Sequence, residues 1–353
     1  MLAESSMDLQ LLKNIAERLY IPLIAGAHGP AGEAALQSIM ETLHKIYRYI
    51  EPEVFSASIV VFKSLVDGQA LIPIKRSTII NDASILPLAV DGAITIEVLH
   101  NGQIRLWNRH QPNLEQLAKS AVVYVYEGGT EQFLANDIRS IVPKINPAYA
   151  SIFSMPTFSD LTIALEHYKA KMVRYSSCKI FSAIWFDKHQ IFLKNAQEKV
   201  MRDSLTQFLK SHLRGDLEVR PEQNVDESHP VDIKVTWWGT NRQALIEIKW
   251  LGTPKFADER VGRTYGDSRA NEGAKQLAEY LDQNKKQVPT HITIGYLVVI
   301  DARLAGLTRG TRTIDQAKGL HYSDKEIEFN PKYHEMRNDF VSPTRMFAEP
   351  KYS

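Results

Sequence analysis

One cysteine, Cys178, stands alone among 353 residues, which excludes an internal disulfide. No Cys/His spacing suggests a zinc site. An excess of either charge is missing too, since 42 Lys and Arg face 41 Asp and Glu for a net charge of +1. Strong non-specific binders of nucleic acid carry a clear basic excess, so phosphate contacts here must come from local basic stretches. No apolar run approaches the roughly 20 residues that cross a membrane. The opening MLAESSMDLQ lacks the basic start and apolar centre of a secretory leader. Together these absences lead to the expectation of a protein working in a reducing cytoplasm, with no membrane partner. The length allows two domains. A hydrophobic content of 44% and a charged content of 24% are those of an ordinary globular chain.

What the sequence does contain is concentrated in VDIKVTWWGTNRQALIEIKW, residues 231–250. VDIKVTWW alternates, with Val231, Ile233 and Val235 on one face and Asp232, Lys234 and Thr236 on the other. QALIEIKW alternates likewise, opposing Ile246, Ile248 and Trp250 to Leu245, Glu247 and Lys249. Gly239-Thr240 between them has the chemistry of a two-residue type II′ hairpin loop, and that loop sets Asp232 opposite Glu247. Directly opposed like charges destabilise a sheet. Two carboxylates ~5 Å apart across strands either share a proton or hold a cation. Hard divalent ions such as Mg²⁺ take such oxygen ligands. The plain alternative is a solvated polar face of an ordinary hairpin.

The stretch P-V-D (230–232), fourteen intervening residues and E-I-K (247–249) resembles the PD-(D/E)xK nuclease superfamily, whose fold is that of restriction endonucleases. It departs from the pattern in one respect: Val231 separates Pro230 from Asp232. Upstream, NAQEKVMRDSLTQFLKSHL (195–213) is an amphipathic helix with Met201, Leu205, Phe208 and Leu209 on one stripe. Glu198 joins that stripe. The resemblance implies that such a Glu points at the metal, whereas an i,i+4 pair with Arg202 is the other reading. Downstream, EGAKQLAEYLDQ (272–283) places Gln276 and Tyr280 on one helical face, matching the QxxxY element of the RecB-like and Cas4-like branches. HITIGYLVVIDAR (291–303) is an apolar run of the kind that forms a strand buried on both faces. Helix, hairpin, helix and buried strand are the common core of that fold, and the resemblance covers about residues 181–303.

The resemblance implies a mixed central sheet flanked by helices over 181–353. It also implies a Mg²⁺- or Mn²⁺-dependent nuclease in which Asp232, Glu247 and the carbonyl of Ile248 hold the metal. Lys249 would orient the attacking water, and Glu198, Gln276 and Tyr280 would complete the site. DNA is favoured over RNA on family grounds, as is a role in restriction or anti-phage defence. A non-catalytic nucleic-acid-binding or scaffold subunit is the alternative. Arg260, Arg263 and Arg269, with Arg303, Arg309 and Arg312, are candidate clamps for the phosphate backbone, though each is also an ordinary surface residue.

Residues 1–150 read as a smaller β-rich α+β domain, joined to the rest by a helical connector over 151–180 that includes the helix FSDLTIALEHYKAKMVRY (158–175). Helices are predicted over 8–20 and 33–50, with the loop AGAHGPAG (25–32) between them. That loop lacks the Lys-Ser/Thr of a phosphate-binding P-loop. Strands are predicted at FSASIVVF, QALIPI, ITIEVLHNGQIRLWN and AVVYVY, with Asn101-Gly102 as a hairpin turn. His100 and His110 flank that hairpin without metal-ligand spacing and read as structural. No motif with chemistry emerges, so this half is expected to recognise a target, a protein partner or a small-molecule signal. A homo-oligomer is left open. The polar tail beyond 313 is expected to pack loosely around the core.

Overall fold

The computed structural model describes residues 20–352 apart from 53–54, 56, 144–150, 155–156, 196, 214–215 and 225–229. It is an α+β molecule with mixed sheets flanked by helices. By internal contacts the chain divides into two units, 1–159 with 239–241, and 160–238 with 242–353. No helix among the described residues is long and apolar enough to cross a membrane.

In the first unit, α1 runs over Ile21–Ile46, where a loop at 25–32 was predicted. Gly29 alone leaves helical geometry (φ 61°, ψ −155°), and Pro30 follows it. Proline has no N–H to donate and is suited to the first turn of a helix, so the Gly-Pro pair makes a kink rather than a loop. The helix predicted over 8–20 lies outside the described residues but for Tyr20. The strands are β1 (Ile59–Ser64), β2 (Thr78–Ile80), β3 (Ile94–Val98), β4 (Ile104–Asn108), β5 (Ala121–Glu127), β6 (Thr130–Ala135) and β7 (Ile138–Ile141). They form one sheet in the order β2-β4-β3-β1-β5-β6-β7, with β1 and β3 parallel.

The β3–β4 hairpin turns at Asn101-Gly102, with Gly102 at φ 79° and Asn101 Oδ1 accepting from Gln103 N at 3.1 Å. QALIPI is not a strand. It holds Pro73, whose carbonyl instead accepts from Trp107 Nε1 at 3.0 Å, and the short strand lies later, at 78–80. The hairpins from β5 to β7 were not predicted, although Gly128-Gly129 and Asn136-Asp137 sit between their last paired residues. Both are dipeptides of the two-residue-turn kind.

In the second unit, α2 (Phe158–Tyr168) packs on α3 (Glu198–His212): Tyr168 donates to Ser204 Oγ at 2.9 Å and its ring meets Phe208 at 5.1 Å. The predicted connector helix therefore belongs largely to this unit, and the division falls inside it. The stripe Met201, Leu205, Phe208 and Leu209 is buried as its spacing requires. A small parallel pair joins β8 (Leu193–Lys194) to β12 (Pro254–Lys255). The main sheet contains β9 (Leu217–Asn224), β10 (Pro230–Trp237), β11 (Arg242–Gly252), β13 (Ile292–Ala302) and β14 (Thr344–Phe347), in the order β14-β13-β11-β10-β9.

Strands β9, β10 and β11 are an antiparallel meander, and α4 (Asp267–Gln287) carries the chain across to β13, which runs parallel to β11. Both central strands are buried almost throughout, as a parallel pair covered on two faces demands. Helix α4 seats Ala274, Leu277, Ala278 and Leu281 against Leu245, Leu297 and Val299. The seat is close, because a Cβ on Gly295 of β13 would lie 2.8 Å from Leu281 Cδ1.

The tail is not loosely packed. Residues 344–347 add the parallel edge strand β14 beside β13, and Phe340, Met346 and Ala348 are buried. A polar segment is fixed there because Arg345 Nε donates to the buried Asp301 at 2.8 Å while Met346 enters the core.

Candidate active site

The β10–β11 ladder runs from Trp237 opposite Arg242 to Ile233 opposite Ile246, the register that places Asp232 and Glu247 at the next position. Its turn is wider than two residues. Gly239 takes a positive φ of 70°, and Trp238 N donates to Asp216 O at 2.8 Å instead of closing another pair. Beyond Ile233 regular pairing stops, and the Asp232 carboxylate reaches across, Oδ2 accepting from Ile248 N at 2.8 Å. Val231 joins the apolar cluster beneath α4 with Leu245 and Leu251, so strict alternation is broken at this point. The irregularity aims the Asp232 carboxylate at the backbone of the E-I-K segment.

Glu247 and Lys249 stand two apart on β11, with Lys249 Nζ donating to Glu247 Oε1 at 2.6 Å. Helix α3 contributes Glu198, whose Oε1 lies 3.6 Å from Lys249 Nζ and whose Oε2 accepts from Arg269 at 3.0 Å. The pair Glu198–Arg202 does not form among these contacts. Arg202 instead turns to Glu222 at 2.7 Å and Asp232 at 3.6 Å. Arg269 opens α4 held between two rings, its guanidinium 4.8 Å from both Trp250 and Tyr265. Acids and bases thus alternate around one focus, with Glu222, Arg202 and Asp232 on one side and Glu247, Lys249, Glu198 and Arg269 on the other.

Burial dominates the electrostatics. It pushes Asp232 up to about 6, with the Glu198 charge adding to the shift, while the Ile248 N–H, Lys249 and Arg202 oppose it. Burial likewise pushes Glu247 up to about 8; the Asp232 charge adds to this and Lys249 opposes it. Burial pulls on Lys249 in the opposite sense, but its bond to Glu247 and the charges of Glu247, Glu198 and Asp232 hold it above the ordinary lysine value. Two acids that resist ionisation beside a lysine that stays charged form a site short of positive charge. Glu247 Oε2 shows this most directly, being buried with no hydrogen-bond partner. A divalent cation would satisfy that oxygen and restore ionisation of both acids. Asp232 and Glu247 fit that role; the Ile248 carbonyl is a third ligand only as the resemblance implies. Among the described residues no group of three or more His, Cys, Asp or Glu side chains converges as a ligand set.

A stability measurement checks the assignment of these shifts. An acid whose pKa is raised on folding binds its proton more tightly in the folded state, so stability falls as pH rises from the ordinary value to the raised one. For these groups the window opens near 4 and closes near 8. The wild-type melting temperature is expected to decline through that window more steeply than that of Glu247→Gln. Parallel slopes would remove Glu247 as a proton-linked group.

Gly273 was not anticipated. A Cβ there would clash with Lys249 Cγ and lie 3.1 Å from both Lys249 Cε and Leu297 Cδ1. The helix approaches so closely that the lysine stem lies against a bare backbone turn, which fixes where the ammonium ends. Gly273→Ala is expected to cost about 1–3 kcal/mol through overpacking. Denaturant titration of the variant beside wild type measures that cost. The sequence signal was a glycine inside a helical pattern, one turn before Gln276.

Other candidates are dispersed. Tyr280 is buried in the apolar cluster with Leu277 and Leu281, and Gln276 on the same helix has a buried Oε1 without a hydrogen bond. Arg303 is not a phosphate clamp: it is buried and engaged by Asp301 at 2.7 Å and Asp267 at 2.6 Å. A guanidinium fixed between two carboxylates has no free edge for a phosphate. Arg260 and Arg263 are exposed and lie over Phe256 and Tyr265, at 4.6 and 5.0 Å. Arg309 is exposed, and Arg312 lies 3.8 Å from Glu259.

Comparison with protein-family models, with curated proteins and with solved structures gives no match.

Proposed function

We propose that the second unit is a metal-dependent nuclease acting on DNA. The observation that carries this reading is the orphaned Glu247 Oε2, buried beside Asp232 and Lys249 on an irregular hairpin. The order of elements supports it as well: a helix, a hairpin, a helix and a buried strand are what the PD-(D/E)xK resemblance implies, and α3, β10–β11, α4 and β13 follow in that order. Mg²⁺ bound by Asp232, Glu247 and the Ile248 carbonyl would lower the pKa of water and offset charge on a phosphodiester. The chain's own groups divide the remaining work. Asp232 is held by the Ile248 N–H and Glu247 by Lys249, so neither acid needs to reorganise on binding. Lys249 places a compact positive charge where the attacking oxygen and the scissile phosphate meet. Glu198, fixed by Arg269, holds the ammonium from its far side.

A second reading is a non-catalytic nucleic-acid-binding subunit. It is favoured by the lack of a three-acid ligand set among the described residues and by the number of internal ion pairs. Incubation with plasmid DNA, single-stranded DNA and RNA, with and without Mg²⁺, decides between them. Mg²⁺-dependent fragments of DNA with 5′-phosphate ends are expected. Binding without cleavage of any substrate supports the subunit reading.

A further inference from the structure

The first unit contains an open cavity of about 160 Å³ at one end of the β1, β3 and β4 strands. Three adjacent strands each send one charged side chain to its wall: Lys63 from β1, Glu97 from β3 and Arg105 from β4. These groups are largely withdrawn from water, with Lys63 and Arg105 side chains only 14% and 16% exposed. Glu97 is buried, and burial raises its carboxyl even though Arg105 and Lys63 pull the other way.

The buried charges do not balance. Arg105 Nη1 bonds Glu97 Oε2 at 2.5 Å, which pairs one cation with the one buried acid. Lys63 then has only the carbonyl of Val98 at 3.4 Å and Asp67 at 3.8 Å, and Asp67 is 72% exposed. A distant, solvated partner contributes little. Arg105 has a further unmet demand, since its Nε is buried without a hydrogen-bond partner. A half-desolvated lysine and an unfilled guanidinium edge ask for one more negative group.

The mouth is different in character. Val66 and Ile74 line it with 61% and 52% of their surface exposed, an unfavourable placing for two aliphatic side chains in a cavity wall. Charged floor and apolar rim together are what an amphiphilic small molecule fits: a few placed polar groups for orientation, apolar contacts for affinity.

We propose that this cavity is a binding site for a small organic carboxylate, its headgroup on Lys63 and the free edge of Arg105 and its apolar body against Val66 and Ile74. A carboxylate is favoured over a phosphate because its single negative charge matches the one buried cation left over once Arg105 is paired with Glu97. Glu97 then acts as the internal competitor for both cations.

The test is calorimetric titration of the full chain with acetate, butyrate, hexanoate and inorganic phosphate at one ionic strength. Saturable carboxylate binding that tightens with chain length is expected. Lys63→Met should weaken it at least about tenfold. Arg105→Ala leaves Glu97 buried and unpaired and is liable to unfold, so Glu97→Gln is the companion variant. Removing the competitor should tighten hexanoate binding. No saturable binding of any carboxylate, binding of phosphate alone, or binding indifferent to Lys63→Met and Glu97→Gln would overturn the proposal. Asp232 and Glu247 take no part in it, so its failure and that of the nuclease reading are separate results.

Discussion

Asp232→Asn is expected to abolish Mg²⁺-dependent cleavage of DNA while the fold survives. The asparagine retains an oxygen to accept from Ile248 N, now 2.8 Å from Asp232 Oδ2, and discards the charge that a metal requires. The several kcal/mol a metal contributes at a phosphodiester correspond to a loss of roughly 10²–10³-fold or more. Asp232→Ala should lose activity equally but also stability, by about 1–3 kcal/mol, because the Ile248 N–H is left buried without an acceptor. Relief of repulsion between two acids would point the other way, but that bond and the Arg202 contact at 3.6 Å make Asp232 structural as well. Cleavage at the wild-type rate in Asp232→Asn would place the metal elsewhere.

Lys249 should produce the second large effect. Its ammonium sits 2.6 Å from Glu247 and 3.6 Å from Glu198, and Gly273 fixes its stem. Lys249→Ala is expected to cut turnover by about 10²–10³-fold, as removal of a preorganised charge at a transition state does elsewhere. Mg²⁺ affinity should persist or rise, since Glu247 Oε1 is released for the metal. Lys249→Arg should rescue poorly, because a wide planar fork has no room against the helix backbone at Gly273. Unchanged cleavage in both variants would leave Lys249 without a part in the chemistry.

The hairpin was legible because it is governed by local rules. Alternation and a Gly-containing turn fix register, and register fixes that Asp232 and Glu247 follow Ile233 and Ile246. Helices α3 and α4 were legible from their stripes, and β13 from its apolar run. What escaped depends on distant partners. Strand β9 reads LEVRPEQN, polar and interrupted by Pro221, and is a strand only because the edge of β10 templates it. Tail strand β14 exists because Asp301, in a different strand, anchors Arg345. Arg202 looked like the i,i+4 partner of Glu198, and only the meander shows that Glu222 and Asp232 claim it. Arg303 followed a strand like a surface clamp, but Asp301 two residues before it and Asp267 from α4 enclose it. Acid and lysine positions were readable; the arginines that surround them were not, since a long side chain is placed by whatever lies at its reach.

The measurement closest to the central claim is the rate of plasmid cleavage as Mg²⁺ is raised, in wild type and Glu247→Gln side by side. Glutamine keeps the size of the side chain and an acceptor for Lys249, yet it removes the ionisable oxygen that is buried without a partner. A metal held by Glu247 predicts a saturating Mg²⁺ dependence in the wild type and no cleavage above background in Glu247→Gln at any Mg²⁺ concentration. Equal rates in the two proteins, or cleavage by the wild type that survives removal of Mg²⁺ by a chelator, would contradict it.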